Sequence, residues 1–278
     1  MKTPIQRILV PLDPSEYTAA ATHRACEIAK AHGAQVTGLA VLDTPGIRSK
    51  VAPADTILWT LVNDQVMDQT AEARAKLKEM TENFAETCCS LGVEHTESEL
   101  EGVPAELILD VSALYDLVVM GLRTYYHFET QKGPGKSLSE VLDHTATPIL
   151  AVPTLLPAKP IERVLIAYDG SLPASRALRD FTAFAEPYSF EITLMTAHKD
   201  DKHAEEVLQR GSTYLRSHSL NDFSALRLKS ASIPDHTLKN TDMVVAGIHA
   251  KRRFRDLVVG SFTKDLIDRG DIAMFLSH

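Results

Sequence analysis

The sequence predicts an α/β fold of two tandem units, each a five-stranded parallel sheet with helices on both faces. Two observations support this prediction: strand-like and helix-like segments alternate along the chain, and the same series of segments occurs twice. Strands that alternate with helices favour a parallel sheet, because each parallel connection must cross back over the sheet. The 278 residues are enough for one large domain or two small ones.

The repeat consists of a strand that ends in aspartate, a β-branched strand that ends in glycine, and a last apolar strand. The matching segments are Arg7–Asp13 with Arg163–Asp169, Asp116–Gly121 with Asp242–Gly247, and Thr147–Val152 with Asp271–Leu276. Three matches in one order are typical of an internal duplication. Residues 155–160, which include two prolines, predict a short stiff linker between the copies. The predicted domains are therefore residues 1–156 and 160–278.

Local signals define the elements of the first copy. Pro14 and Ser15 are typical of a helix start, and Gly33 is typical of the end of that helix. A long amphipathic pattern from Ala73 onward ends at Gly92 and predicts a second helix. The other expected elements are strands at 6–12, 36–42, 93–100, 116–120 and 148–153, and helices at 104–114 and 137–144. The second copy repeats this order, with a third helix about one turn shorter.

Residues 43–63 have no counterpart in the second copy. This segment holds Trp59 among several apolar residues. Core packing is the favoured interpretation of such a cluster, and a lid or a contact with a partner subunit are the alternatives.

Composition and hydropathy exclude several classes of protein. With 44% apolar and 24% charged residues, the chain has the mixture of a globular protein. Its longest apolar run, 117–122, is far shorter than the roughly 18 residues that a membrane span needs. Pro11 and Asp13 interrupt the first apolar run before it is long enough for a signal peptide. We therefore expect a cytoplasmic protein that does not bind membranes.

Charge and motifs argue against nucleic-acid binding and catalysis. The net charge of −8 is unfavourable for contact with phosphate backbones. The basic run Lys251–Arg255 is the exception, and both a solvated loop and a phosphate contact remain open for it. The three cysteines form no CxxC motif, so we expect reduced thiols. Because no catalytic or metal-ligand motif occurs, we expect no catalytic residue and no metal site.

The carboxyl ends of the strands are the expected binding edge. Open α/β sheets bind ligands where the strand order reverses. If the first strand lies beside the fourth, Asp13 meets Gly121 and Asp169 meets Gly247 at that edge. A glycine allows the backbone to approach a phosphate, the following helix start favours an anion, and the aspartate can accept hydrogen bonds from ribose hydroxyls. This combination predicts a nucleotide site, although either aspartate could instead cap its helix.

Both copies resemble universal stress protein domains, and the resemblance covers essentially the whole chain. In that family a strand like Asp116–Gly121 leads into a loop of Gly, two residues, Gly, nine residues, and Gly-Ser or Gly-Thr. The resemblance implies two Rossmann-like, adenine nucleotide alpha hydrolase-like domains that bind ATP. It also implies that the two halves pair through their last strands within one chain, as an intrachain pseudo-dimer, and that a homodimer of chains can form.

Carried over residue by residue, the resemblance implies a set of nucleotide-binding positions in each copy. They are Pro11, Asp13, Val41, Gly121, Arg123, Gly135, Lys136 and Ser137 in the first copy, and Ala167, Asp169, Ala197, Gly247, Ala250, Gly260, Ser261 and Phe262 in the second. Ala250 replaces the middle glycine of the second loop, and Thr124 replaces that of the first, which also has one extra residue. The spacing therefore favours the second copy. Packing is the alternative for the small apolar positions.

Two functions are compatible with these residues. The first is a stress-adaptation protein that binds ATP or a related adenine nucleotide, with Mg²⁺ as its companion ion, to regulate association with an unidentified protein partner. Any hydrolysis would be slow and incidental, so we do not expect an enzyme. The second is a nucleotide-free protein-interaction module of the same fold whose loops have lost the ligand. A ligand-induced gain in thermal stability distinguishes them.

Overall fold

The computed structural model describes residues 5–51, 59–124, 126, 137–142, 144–154, 160–229, 233–248, 266–267 and 269–278. The first half of the chain contains five strands and five helices within these residues. They are β1 (Arg7–Leu12), α1 (Glu16–His32), β2 (Gln35–Leu42), α2 (Thr44–Val51), α3 (Trp59–Ser90), β3 (His95–Glu101), α4 (Pro104–Ser112), β4 (Leu117–Gly121), α5 (Ser137–Leu142) and β5 (Ile149–Val152).

The second half follows the same order with a shorter helix before its fourth strand. Its described elements are β6 (Arg163–Ala167), α6 (Leu172–Phe184), β7 (Glu191–Ala197), α7 (Asp201–Ser217), β8 (Phe223–Leu228), α8 (Asp235–Lys239), β9 (Met243–Gly247) and β10 (Ala273–Ser277). The helix that follows Pro234 has 5 residues against 9 in α4, as the sequence predicted.

All the described strands belong to one sheet. Its order is β3-β2-β1-β4-β5-β10-β9-β6-β7-β8, and every pair within each half is parallel. The α/β prediction, with a five-stranded parallel sheet in each half and helices on both faces, is confirmed. The boundary near residue 158 stays a prediction, because residues 155–159 lie outside the described residues.

The two halves join through their last strands, as the resemblance implied. β5 and β10 are antiparallel, and Phe275 stands opposite Leu150 in the ladder. On one face of this junction, the Phe275 ring packs against Phe181 and Phe184 of α6, at centroid distances of 6.1 and 5.3 Å. Because the junction is antiparallel, the carboxyl ends of the strands in the two halves lie at opposite edges of the sheet.

Alternation along the strands produces one apolar core on each face of the sheet. In β1, Ile8 and Val10 lie in the core under α1, α3, α6 and α7, whereas Leu9 lies in the core under α4, α5 and α8. Successive side chains of a strand point to opposite faces, so a parallel strand that is covered on both faces is apolar throughout. This explains why β1 and β4 have almost no polar positions.

The helix boundaries follow the sequence signals closely. Gly33 ends α1 with a φ of 69°, a left-handed conformation that glycine adopts without strain. The Ser171 side chain accepts a hydrogen bond from the Ala174 N–H and begins α6. The long helix differs from the prediction, because α3 begins at Trp59 and so includes the end of the extra segment. None of the helices in the described residues is long and apolar enough to cross a membrane.

Candidate functional site

The strand pairing brings the predicted aspartates and glycines to common edges. β1 lies beside β4 and β6 lies beside β9. Asp13 therefore follows β1 at the edge where β4 ends in Gly121, and Asp169 follows β6 at the edge where β9 ends in Gly247. These are the two points at which strand order reverses within the half-sheets, which is where open α/β sheets place ligands.

Asp13 is committed to the start of α1. It is 1% exposed, and its carboxylate accepts hydrogen bonds from the hydroxyls of Ser15, at 2.7 Å, and Thr18. Its own N–H donates to the Thr18 hydroxyl at 3.0 Å. A buried carboxylate needs such donors to offset its lost hydration. These hydrogen bonds hold Asp13 against the first turn of α1, whose cap residue, Ser15, makes no side-chain capping hydrogen bond.

Tyr126 fills space at the same edge of the first half. Its side chain is 3% exposed and belongs to the buried core that includes Val41 and Ile108. Burial and the nearby charge of Asp13 raise its pKa well above the usual tyrosine value, while the Thr124 hydroxyl opposes that shift. Because Pro11 and Val41 are also buried, the apolar positions predicted to border a base are already covered by protein.

Asp169 lies in a different environment from Asp13. Its side chain is exposed, and its carboxylate accepts a hydrogen bond from the Ser171 N–H at 2.9 Å. The cap of α6 is made by the Ser171 hydroxyl, so the carboxylate of Asp169 is not needed for that purpose. Ala167 and Ala197, at the ends of neighbouring strands, are half-buried.

Both strand-end glycines are required for helix packing. A Cβ atom on Gly121 would lie 2.2 Å from the Cβ of Tyr17, and one on Gly247 would lie 2.3 Å from the backbone N of Ala174. Each glycine therefore lets the first helix of its half, α1 or α6, rest directly on the strand. This close packing is a sufficient reason for glycine at both positions, independent of the expected approach to a phosphate.

Arg210 is a cation that the sequence analysis missed. Its guanidinium nitrogen lies 2.8 Å from the position that a Cβ of Gly170 would occupy, so it covers the turn between Asp169 and Ser171. Gly170 has a φ of 77°, which favours glycine. The arginine reaches this turn from α7, and no motif in that amphipathic helix distinguishes it from a solvated side chain.

Asp43 is a second carboxylate at the edge of the first half, and it was not among the predicted site residues. It is 2% exposed, follows β2, and accepts a hydrogen bond from the Gly46 N–H at 2.9 Å where α2 begins. The pattern of a strand followed directly by aspartate, which identified Asp13, also applies to Asp43. Within the described residues, no group of three or more His, Cys, Asp or Glu side chains is arranged to hold a metal ion.

The remaining predicted positions are placed only in part. The guanidinium of Arg123 lies 3.6 to 3.8 Å from the Cβ position of Gly270, so it contacts the segment before β10 of the other half. Ser137 begins α5, but its side chain is outside the description. The other predicted loop positions also lie outside the described residues: Gly135, Lys136, Ala250, Gly260, Ser261, Phe262 and the run Lys251–Arg255.

A cavity separates the first turns of α1 from the middle of α3, and we call it the α1–α3 cavity. It has a volume of about 370 Å³. Its lining combines polar and apolar side chains and consists of Asp13, Pro14, Ser15, Thr18, Ala19, Thr22, Lys76, Glu79, Met80, Asn83, Phe84 and Thr87. The cavity therefore leads from Asp13 along the interface between the two helices.

Comparison with solved structures places this architecture among known folds. The chain is similar to a universal stress protein from Archaeoglobus fulgidus, with a TM-score of 0.73, 18% identity, and coverage of 98% of this chain and 95% of that one. It is also similar to a functionally unknown protein from Pseudomonas aeruginosa, with a TM-score of 0.60, 13% identity, and coverage of 98% and 92%. At these identities the likeness shows the fold.

Comparison of sequences shows the family. A universal stress protein of Methanocaldococcus jannaschii is 33% identical over 119 residues, which are 42% of this chain and 64% of that relative. The chain thus spans less than two thirds of the length of this relative. The model of the universal stress protein family matches residues 4–153, more than half of the chain. The chain therefore belongs to the universal stress protein family.

Proposed function

We propose that the protein binds ATP or another adenine nucleotide as a regulatory ligand in stress adaptation, and that the working site is in the second half. The observation that carries this proposal is the exposed carboxylate of Asp169 at the carboxyl end of β6. An exposed carboxylate at the point of strand reversal can accept hydrogen bonds from both hydroxyls of a ribose.

The second half offers a role for each neighbouring group. Ala167 and Ala197 are half-buried at adjacent strand ends, so they can border an adenine without closing the site. By the family resemblance, the loop after Gly247 would hold the phosphates through Ala250, Gly260, Ser261 and Phe262. Arg210, beside Gly170, adds a positive charge near Asp169 that favours an anionic ligand.

The first half supports nucleotide binding less well. Asp13 already accepts hydrogen bonds from two hydroxyls, and Tyr126 occupies the buried core beside it. A nucleotide at this edge would have to displace an aromatic side chain and compete for the carboxylate. We therefore assign the first half of the chain a structural or partner-binding role.

The proposed nucleotide acts as a ligand rather than a substrate. The expected effect is a shift between conformations that changes association with a protein partner. Mg²⁺ would accompany the phosphates. A cytoplasmic location and a homodimer complete the proposal.

Thermal unfolding of the full chain with and without Mg-ATP tests the proposal. A ligand at about 100 times its dissociation constant stabilises the folded state by roughly 2.7 kcal/mol, so the midpoint should rise. The Asp169→Ala variant should lose this rise. The Asp13→Ala variant should keep it, although its unfolding midpoint without nucleotide should be lower than that of the wild type. AMP and ADP in parallel would show how many phosphates contribute.

The nucleotide-free interaction module is the second candidate. The burial of Asp13 and Tyr126 favours it for the first half, because the side chains expected to contact a nucleotide there are already covered by protein. If millimolar adenine nucleotides leave the unfolding midpoint of the whole chain unchanged, this candidate replaces the first for both halves.

A further inference from the structure

Two cysteine side chains are in contact in the core of the first half. Cys26 of α1 and Cys88 of α3 are both 0% exposed, and their Sγ atoms are 3.5 Å apart, although 62 positions separate them in sequence. A disulfide requires sulfur atoms about 2.05 Å apart, so a small approach of the two helices would allow a bond. No short motif in the sequence indicates this pairing.

The surroundings of the pair make its two thiols unequal. The hydrogen bond from Cys88 lowers the pKa of Cys26, and Lys30 favours the same thiolate. The hydrogen bond with Cys26 and, to a smaller extent, burial raise the pKa of Cys88. The first proton therefore leaves the pair more readily than the second, and the thiolate, which is the reactive form, is favoured on Cys26.

The α1–α3 cavity reaches the helical turns that carry these sulfurs. Thr22 and Thr87 are among its lining residues. Thr22 lies one helical turn before Cys26 on α1, and Thr87 directly precedes Cys88 on α3. A small oxidant in the cavity is therefore next to the segments that hold the thiol pair.

We propose that Cys26 and Cys88 are a dithiol that hydrogen peroxide converts to a disulfide, joining α1 to α3. The Cys26 sulfur attacks one peroxide oxygen, the O–O bond breaks, and the leaving hydroxide takes the Cys26 proton to become water. The resulting sulfenic acid on Cys26 is attacked by the Cys88 sulfur. A sulfur–sulfur bond forms, and the released hydroxide takes the Cys88 proton as a second water.

Cys89 supplies a matched control on the same helix. It is the next residue to Cys88 but is exposed, and its Sγ lies 3.9 Å from Nε2 of His95, on β3, rather than near α1. An exposed thiol is open to peroxide without being positioned to join Cys26. Replacing Cys89 thus removes a reactive thiol and leaves the proposed pair intact.

The test oxidises the full-length Cys89→Ser variant with hydrogen peroxide at low protein concentration and then counts thiols in denaturant. We expect the count to fall from two to zero and to return to two after treatment with dithiothreitol. Mass spectrometry of the non-reduced digest should show a linked Cys26–Cys88 peptide, and a non-reducing gel should show a monomer. In Cys88→Ser, linked peptides should fall to background.

Three results would overturn the proposal. The first is an unchanged count of two thiols in Cys89→Ser at a peroxide concentration that oxidises Cys89 in the wild type. The second is a loss of thiols that dithiothreitol does not reverse. The third is a linked peptide that involves Cys89 and persists in Cys88→Ser. Circular dichroism of each variant before oxidation checks that the fold is present.

Discussion

Asp13 and Asp169 occupy corresponding positions in the two halves, each at the carboxyl end of the central strand of its half-sheet, but Asp13 is 1% exposed and Asp169 is exposed. In the first half the carboxylate accepts hydrogen bonds from Ser15 and Thr18, whereas in the second half the Ser171 hydroxyl makes the helix cap. The same residue type thus stabilises a helix in one half and is available to a ligand in the other.

Asp13→Ala is expected to destabilise the protein more than Asp169→Ala. The first change leaves the hydroxyls of Ser15 and Thr18 without their buried acceptor, which costs about 1–3 kcal/mol. The second removes an exposed side chain with a hydrogen bond to one backbone N–H, so its cost should be below about 1 kcal/mol. Urea unfolding of both variants measures the difference, and equal losses would contradict it.

Gly247→Ala is expected to lower stability by at least about 1–3 kcal/mol, because overpacking forces the backbone of α6 away from β9. The added Cβ would lie 2.3 Å from the Ala174 nitrogen, and backbone atoms in a packed helix cannot easily move. Gly211→Ala is the control: its Cβ would meet side-chain atoms of Leu194 and Tyr168 at 3.0 Å. Its loss should be smaller, since alanine also favours the helix. Thermal unfolding of both variants measures the two losses, and a larger loss in Gly211→Ala would contradict the prediction.

The environment of His32 predicts that the folded protein loses stability at mildly acidic pH. Its Nε2 donates to the Phe184 carbonyl at 3.1 Å, so this histidine links α1 to α6 across the two halves. Burial lowers its pKa below the usual value of about 6.5, although the Phe184 carbonyl and Glu186 partly oppose this shift. The unfolded chain then takes up the proton at higher pH than the folded chain. Stability is therefore complete above about pH 6.5 and falls as the pH decreases through the folded-state value.

Urea unfolding at pH 7.5 and 5.5 checks the His32 prediction. Between these values the wild type should lose more stability than His32→Gln, which cannot take up a proton. Parallel losses in the two proteins would show that other groups account for the acid sensitivity.

The fold was predictable because its signals are local and periodic. Several strands and helices begin or end beside the residues that predict their boundaries, which are Asp13, Gly33, Gly92 and Pro234. The apolar runs 117–120 and 243–246 form buried strands, one in each half. The alternation of strands and helices predicted the parallel sheet within each half. These features depend on a few neighbouring residues, and tertiary packing does not change them.

The site was less predictable because burial and long-range contacts decide it. Asp13 and Asp169 follow the same sequence pattern, and their different burial comes from packing. Tyr126 and Arg210 reach the two edges from a loop and from α7, at distances in sequence that no short motif records. The reason for glycine at 121 and 247 also differs from the expected one, because a helix fills the space that a side chain would need.

Isothermal titration calorimetry of the full chain with Mg-ATP tests directly whether the second half binds a nucleotide. We predict binding of one nucleotide per chain, with heat that disappears in Asp169→Ala and remains in Asp13→Ala. A flat titration of the wild type, or unchanged binding by Asp169→Ala, would contradict the assignment of the ligand to the second half.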